Sequence, residues 1–397
     1  MTGTQGSRAP GTLRPDHRAE IVIFGAGSIG RGFLGQIFGR SGWAVTFVDA
    51  DSRLVTSLNQ HHTYSVDLVS PDGTVERVGV ENVHAIEVSD NEAITAALKR
   101  TPYVGTSVGA GVLPAVARQI ASSLPATELA QRDIILAENL HDAFSGFTRH
   151  LTDDGGESTR SPGVHACAVG KMTPESSDAA DGTLVTTEAM NDLLVDAADW
   201  KNPIPSIAWL KPVQPIAAYI DRKLFLHNLM HAALAFMSTR ICPECQYIHE
   251  LLDIDRLVGI LRELAELVSQ ALAAEYPDVL SVDSLRDHSE DLLHRFSSRR
   301  LGDSILRVGR DVPRKLQDGE RVVGALRLLE RHSLAIEPVL SVYEAALEFG
   351  IATEQITADD LRGAAGREFV ARITGSDLSD TLTRALNGIV ERAGVPK

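Results

Sequence analysis

Cysteine is scarce in this chain: three residues in 397, at Cys167, Cys242 and Cys245. That is too few for a disulfide scaffold and points to a reducing cytoplasm. Positive charge is also in short supply. There are 38 Lys and Arg against 53 Asp and Glu, a net charge of −15, which argues against nucleic acid or an anionic membrane as the main partner. Any anionic substrate would need a locally basic pocket. No apolar run reaches the length of a membrane span, and the N-terminus has no hydrophobic signal core. Internal repeats and low-complexity tracts are missing as well. What is left, 44% apolar and 23% charged residues, is the composition of a soluble globular protein, long enough for two domains with ample cores.

Residues 1–18, rich in Gly, Ser, Thr, Pro and Arg, read as a disordered leader. Then Ala19-Glu20-Ile21-Val22-Ile23-Phe24 is a β-branched run that suits a buried strand. It flows into Gly25-Ala26-Gly27-Ser28-Ile29-Gly30, a helical pattern to Arg40, and a second strand, Trp43 to Asp49. A bare GxGxxG is weak, but strand, GxGxxG, helix, strand and a terminal acid about 20 residues on form the complete dinucleotide fingerprint. Gly25 permits the tight turn, Gly27 lets a pyrophosphate approach and Gly30 lets helix and strand pack closely. Asp49 at the end of the second strand would accept from ribose hydroxyls and repel a 2′-phosphate, so NAD is favoured over NADP. Tyr103 to Gly109 reads as a strand ending in a loop under the cofactor, which places Val108 and Gly109 there. Asp133 to Asn139 is another buried strand ending in polar residues. Ligands of an open parallel sheet meet the carboxyl ends of its strands, so Asn139 suits a site and a helix cap equally.

Val164–Val169 and Thr183–Glu188 look like further strands. Beyond about Pro203 helical periodicity takes over, at 215–240, 247–276, 283–296, 320–348 and 358–394. The chain therefore divides into an α/β Rossmann-type domain over 19–202 and a mostly α-helical domain over 203–397.

Within the helical half, Asp221 to Met237 lacks Gly and Pro and is rich in Leu, Ala and Met. With Lys223 as origin, His227 falls at about 40°, His231 at about 80° and Asn228 at about 140° around an ideal helix. These polar groups share one arc in an apolar context. A lysine among apolar neighbours loses its proton more easily and suits general acid/base work, and an Asn amide can donate to a developing alkoxide. The spacing is equally compatible with a buried polar face whose hydrogen bonds are all satisfied. Cys242-Pro243-Glu244-Cys245 is a lone CxxC, read as incidental thiols in a loop, because zinc needs more ligands. Two basic clusters, Arg295 to Arg300 and Arg307 to Lys315, stand out in an acidic chain as solvated helix ends or as an anion or polyol site.

Taken together, Lys223-x4-Asn228-x2-His231 after a GxGxxG domain, the Ala137-Glu138-Asn139 strand end, Val185-Thr186-Thr187-Glu188 and Arg307-Val308-Gly309-Arg310 resemble the polyol-specific long-chain dehydrogenases and reductases, the mannitol dehydrogenase family. The resemblance covers nearly the whole chain after the leader. It implies a metal-independent, NAD-dependent oxidoreductase that interconverts a polyol phosphate and a ketose phosphate, of the mannitol 1-phosphate and fructose 6-phosphate kind. In that reading Lys223 is the general acid/base, Asn139 and Asn228 form the oxyanion hole, and His231 and Arg310 bind substrate, with Lys315 a weaker candidate for the same task. The cofactor lies on Gly25, Ala26, Gly27, Ser28, Ile29, Gly30, Asp49, Val108 and Gly109. The partners are small molecules, with no nucleic acid, membrane or metal, and the chain is a cytoplasmic monomer or small homo-oligomer. Two departures from the family pattern matter. Gly170 stands where a carboxylate is expected, in Val169-Gly170-Lys171-Met172-Thr173-Pro174, and Ser298-Arg299 replaces Asn-Pro. A lost carboxylate and a gained Arg299 make the pocket friendlier to an anion. Other readings are a sugar-acid reductase, an isomerase or cyclase using NAD transiently, and a silent sensor.

Overall fold

The computed structural model describes residues 19–109, 111–138, 143–151, 161–173, 182–375 and 378–394. The leader, residues 1–18, and the expected oxyanion-hole residue Asn139 lie outside them.

Among the described residues eleven strands make two sheets: β1 Glu20–Phe24, β2 Ala44–Asp49, β3 Thr63–Val69, β4 Val75–Glu81, β5 Val83–Glu87, β6 Tyr103–Thr106, β7 Asp133–Leu136, β8 Gly163–Ala168, β9 Val185–Glu188, β10 Leu193–Asp196 and β11 Leu210–Val213. The larger sheet runs β11-β10-β8-β7-β6-β1-β2-β5, and β4-β3-β9 forms the smaller. From β5 across to β8 every pairing is parallel, and β10 turns antiparallel to β8. Parallel strands covered on both faces read as unbroken apolar runs rather than alternations. Ile21, Val22, Ile23 and Phe24 of β1 accordingly have at most 1% of their surface exposed.

The sheet continues past residue 203, where the sequence pattern places the start of the helical half: β11 pairs in parallel with β10. Leu210-Lys211-Pro212-Val213 is short and contains a proline, which demotes it as a strand in sequence. It is tolerated because β11 lies at the sheet edge. After Val213 the described residues form helices and turns, apart from one isolated bridge between Tyr247 and Ser304.

The helical half is built around residues 216–241. Leu229, Met230 and Ala232 to Phe236 are at most 1% exposed, so the second half of this helix is wrapped by its neighbours on most sides, while its polar face borders a cavity. Three of the long helices expected from periodicity are broken, the 247–276 one into Ile248–Leu251 and Asp255–Glu275. The 320–348 pattern divides into Val323–Arg331 and Glu337–Ala352, because Pro338 has no N–H to continue a helix and suits only a first turn. The 358–394 pattern breaks after Thr374, where Gly375 takes φ +67°, and resumes as Asp380–Ala393.

Candidate active site

The glycine turn follows β1. Gly25 has φ +94°, and a Cβ there would stand 2.4 Å from the Ser107 carbonyl oxygen. A Cβ on Gly30 would stand 2.0 Å from the carbonyl oxygen of Gly25. Both positions exclude a side chain through backbone contact. Gly27 differs: nothing lies within 4 Å of the place its Cβ would take, so bare backbone faces open space, as the approach of a pyrophosphate requires. Asp49, at the end of β2, accepts from the Ala26 N–H at 2.6 Å and the Asp51 N–H at 2.9 Å. Opposite, Val108 and Gly109 each donate an N–H to the carboxylate of Glu138 at 2.9 Å. Arg31 ties the turn to the rest of the domain, donating to the carbonyls of Ala26 at 2.6 Å and of Gly182 and Thr183 at 2.7 Å. A tight turn, an open cradle and an acid at the end of β2 fit a dinucleotide.

Across from the turn stands the segment Arg222–Asn228, wound as a π-helix between the α-helices Ile216–Asp221 and Leu229–Ile241. A π-turn closes its hydrogen bond from i to i+5 and is wider than an α-turn. Lys223 and Asn228 are five apart, so the wide turn brings them onto one side, where an ideal α-helix separates them by about 140°. Burial pushes the Lys223 amine down to about 7; the Arg321 cation adds to the fall and Glu320 opposes it. His227, next along the wall, is buried and held well below its ordinary value by that burial and by Arg295, His231, Lys223 and His288 around it.

A cavity of 340 Å³ lies between the two elements, bordered by Ser28 and Ile29 on one side and Lys223, Asn228 and His231 on the other. Its remaining cations are Lys171, Arg307 and Arg310, and no Asp or Glu among the described residues borders it. His231 Nε2 lies 3.0 Å from Asp303, and its ring stacks on Phe296 with centroids 4.6 Å apart. Asp303 also accepts from Arg307, one helical turn away. The floor is held by a buried ion pair: Arg295 donates to Glu188 at 2.5 Å and 3.0 Å and to the Gly170 carbonyl at 2.6 Å, while Glu188 accepts from the Met172 N–H at 2.6 Å. A second cavity, of 190 Å³, adjoins the first, and Gly170, Lys223 and His227 border both.

Of the residues expected at the site, Lys223, Asn228, His231, Arg310, Ser28 and Ile29 meet around the larger cavity. Two others do not. Arg299 has 77% of its side chain exposed and its nearest acid is Asp253 at 3.7 Å; the turn after helix Val282–Phe296 points it to solvent. Lys315 is buried and donates its ammonium to the carbonyls of Val308, at 2.8 Å, and Arg310. It braces the loop that carries Arg310, away from the cavity wall. Cys242 and Cys245 are joined in a disulfide, so they are not the free thiols the sequence suggested. Among the described residues no group of three or more His, Cys, Asp or Glu could hold a metal ion. Sequence reasoning missed Arg31, Glu138, Lys171 and Asp303. Only the Asp303-x3-Arg307 spacing offered a local signal, as an i,i+4 ion pair.

Residues 19–209 match the family model described as the mannitol dehydrogenase Rossmann domain, and residues 215–358 match the mannitol dehydrogenase C-terminal domain. A mannitol-1-phosphate 5-dehydrogenase of Brevibacillus brevis is 32% identical over 319 residues, covering 78% of this chain and 81% of that protein. One from Thermoanaerobacter pseudethanolicus is 28% identical over 383 residues, covering 91% and 95%. Among solved structures, Pseudomonas fluorescens mannitol 2-dehydrogenase in ternary complex with NAD and D-mannitol superposes with a TM-score of 0.71 at 15% identity, covering 96% of this chain and 92% of that one. A D-sorbitol dehydrogenase in substrate-free form gives 0.65 at 15% identity, covering 84% and 80%. At that identity the likeness is one of fold.

Proposed function

Since this chain belongs to the mannitol dehydrogenase family, we propose that it is an NAD-dependent dehydrogenase that interconverts a polyol phosphate and the corresponding ketose phosphate. The observation that carries the phosphorylated substrate is the lining of the larger cavity. In a chain of net charge −15, Lys171, Lys223, Arg307 and Arg310 surround it without one bordering carboxylate among the described residues. Asp303 engages Arg307 from behind the wall, and the lining as a whole still presents positive rather than negative charge to a ligand in the cavity.

Gly25 to Gly30, Asp49, Val108 and Gly109 would hold NAD, which when bound supplies the hydride acceptor. The chain's own task is then the proton. With its amine pushed down to about 7, Lys223 is available in the neutral form near neutral pH and takes the hydroxyl proton of the substrate; in the reverse direction the ammonium returns it. Asn228, brought round by the π-turn, donates its amide N–H to the oxygen as charge develops there, and Asn139 is the second donor. His231, held by Asp303, and Arg310 orient the remaining hydroxyls. A side chain at Gly170 would meet Met190 at 3.2 Å. Its absence leaves that wall without the carboxylate that the resemblance leads one to expect there.

The test is NADH formation with mannitol 1-phosphate beside mannitol, other polyol phosphates and sugar acids. Turnover restricted to a polyol phosphate, lost in Lys223→Ala by about 10²–10⁴-fold with NAD binding retained, is the expected result. Turnover of a sugar acid with no response to phosphate esters would replace the substrate, and loss of NAD binding in Lys223→Ala would make that lysine structural.

A further inference from the structure

Lys171 is a buried amine that the proton transfer does not use. It is 5% exposed, and its Nζ donates to the amide oxygens of Gln36 at 3.0 Å and Asn191 at 2.6 Å. The ring of Phe33 lies 5.5 Å away. Among the described residues no carboxylate makes an ion pair with it. The acid that acts on it, Glu188, is already engaged by Arg295 and by the Met172 N–H. Burial pulls the amine down to about 7, with Glu188 opposing the fall and Arg40 adding to it.

Two neutral oxygens orient an ammonium without cancelling its charge. An ammonium has three donors, so one N–H remains after Gln36 and Asn191 are served, and Lys171 borders the same cavity as Lys223, Arg307 and Arg310. A buried cation with a spare donor and no counter-charge favours an anion that can approach it from the cavity. A phosphate monoester carries about −1.5 to −2 charges at neutral pH and three acceptor oxygens. A polyol hydroxyl carries no charge to offer.

We propose that Lys171 recognises the phosphate group of the substrate and sets the preference for a phosphorylated over an unphosphorylated polyol. This rests on the reading of the site as a polyol phosphate dehydrogenase. Gln36 sits in the helix that follows the glycine turn and Asn191 in the loop after β9, so the two amides place the phosphate-binding nitrogen against the cofactor half. Lys223 stands opposite on the helical half, and the division separates recognition from chemistry.

The experiment compares kcat/KM for mannitol 1-phosphate and for mannitol in the wild type and in Lys171→Met, Lys171→Gln and Lys171→Arg, with KM for NAD as the control for an intact Rossmann half. Calorimetric binding of inorganic phosphate to the same four proteins gives a readout that needs no turnover. Expected is a fall in the phosphate-to-polyol ratio of about tenfold or more in the Met and Gln variants, matched by weaker phosphate binding, with recovery to within about threefold in the Arg variant. A ratio and a phosphate affinity unchanged in Lys171→Met or Lys171→Gln, at normal KM for NAD, would overturn the assignment. Should the wild type turn over neither compound, the reading of mannitol 1-phosphate as the substrate is what fails. Lys171 is then judged on phosphate binding alone, weakened in the Met and Gln variants if the assignment is right and unchanged if it is wrong.

Discussion

His231 Nε2 lies 3.0 Å from Oδ2 of Asp303, while the other oxygen of that carboxylate takes the guanidinium of Arg307. Burial alone would push the Asp303 carboxyl up, but His231 and Arg307 hold it below its usual value. One ionised carboxylate thus orients two side chains of the cavity without bordering it. Asp303→Asn is expected to raise KM for the polyol phosphate about tenfold, the scale of losing a contact with a charged partner, with a smaller change in kcat and none in KM for NAD. Steady-state kinetics with each substrate varied in turn would show it, and equal losses in both KM values would mean that Asp303 supports the fold as a whole.

The pH dependence follows from Lys223. A base with its amine near 7 is neutral above that pH, so alcohol oxidation should rise through about pH 7 and level off, and ketone reduction should fall over the same range. Burial is the main cause of the depression; Arg321 adds to it and Glu320 opposes it. Replacing Arg321 with Met removes the charge that lowers and leaves burial and Glu320, so the inflection of kcat/KM should move to higher pH. A shift to lower pH would contradict this account of the field around Lys223.

Asp49→Asn should narrow the preference for NAD over NADP by about tenfold or more, because the charge that repels a 2′-phosphate is gone. The ratio of kcat/KM for the two cofactors is the measurement. An Asn oxygen can still accept the Ala26 N–H that Asp49 accepts at 2.6 Å, which keeps the turn in place and makes this substitution a cleaner probe than Ala. An unmoved ratio would remove Asp49 from the ribose.

The fingerprint glycines should separate into two kinds. In Gly30→Ala the added carbon would meet the Gly25 carbonyl at 2.0 Å; neither backbone can yield, and overpacking of about 1–3 kcal/mol should lower Tm by several degrees, roughly 3–10 °C. Gly27→Ala meets nothing within 4 Å, so Tm should hold while NAD affinity drops. Thermal melts with and without NAD distinguish the two.

Sequence by itself determined what depends on contiguous residues. Strand β1, the glycine turn, the helix after it, β2 and Asp49 follow one another along the chain, and each step is set by local sterics and apolar runs. The cofactor half was therefore legible, as was the Lys223, Asn228 and His231 spacing on one helix. Tertiary structure decided what depends on distant partners. Arg295 finds Glu188 across 107 positions and Lys171 finds Gln36 across 135, and no periodicity encodes such pairs. It also decided the facing of the basic residues: Arg310 borders the cavity, Lys315 braces the loop behind it, and Arg299 turns to solvent. In sequence the three are alike, because charge is a property of the residue and burial is a property of the packing around it. The π-turn at Arg222–Asn228 belongs with these. It moves Asn228 round to Lys223 against the α-helical period, with the helices Asp255–Glu275 and Val282–Phe296 packed on it.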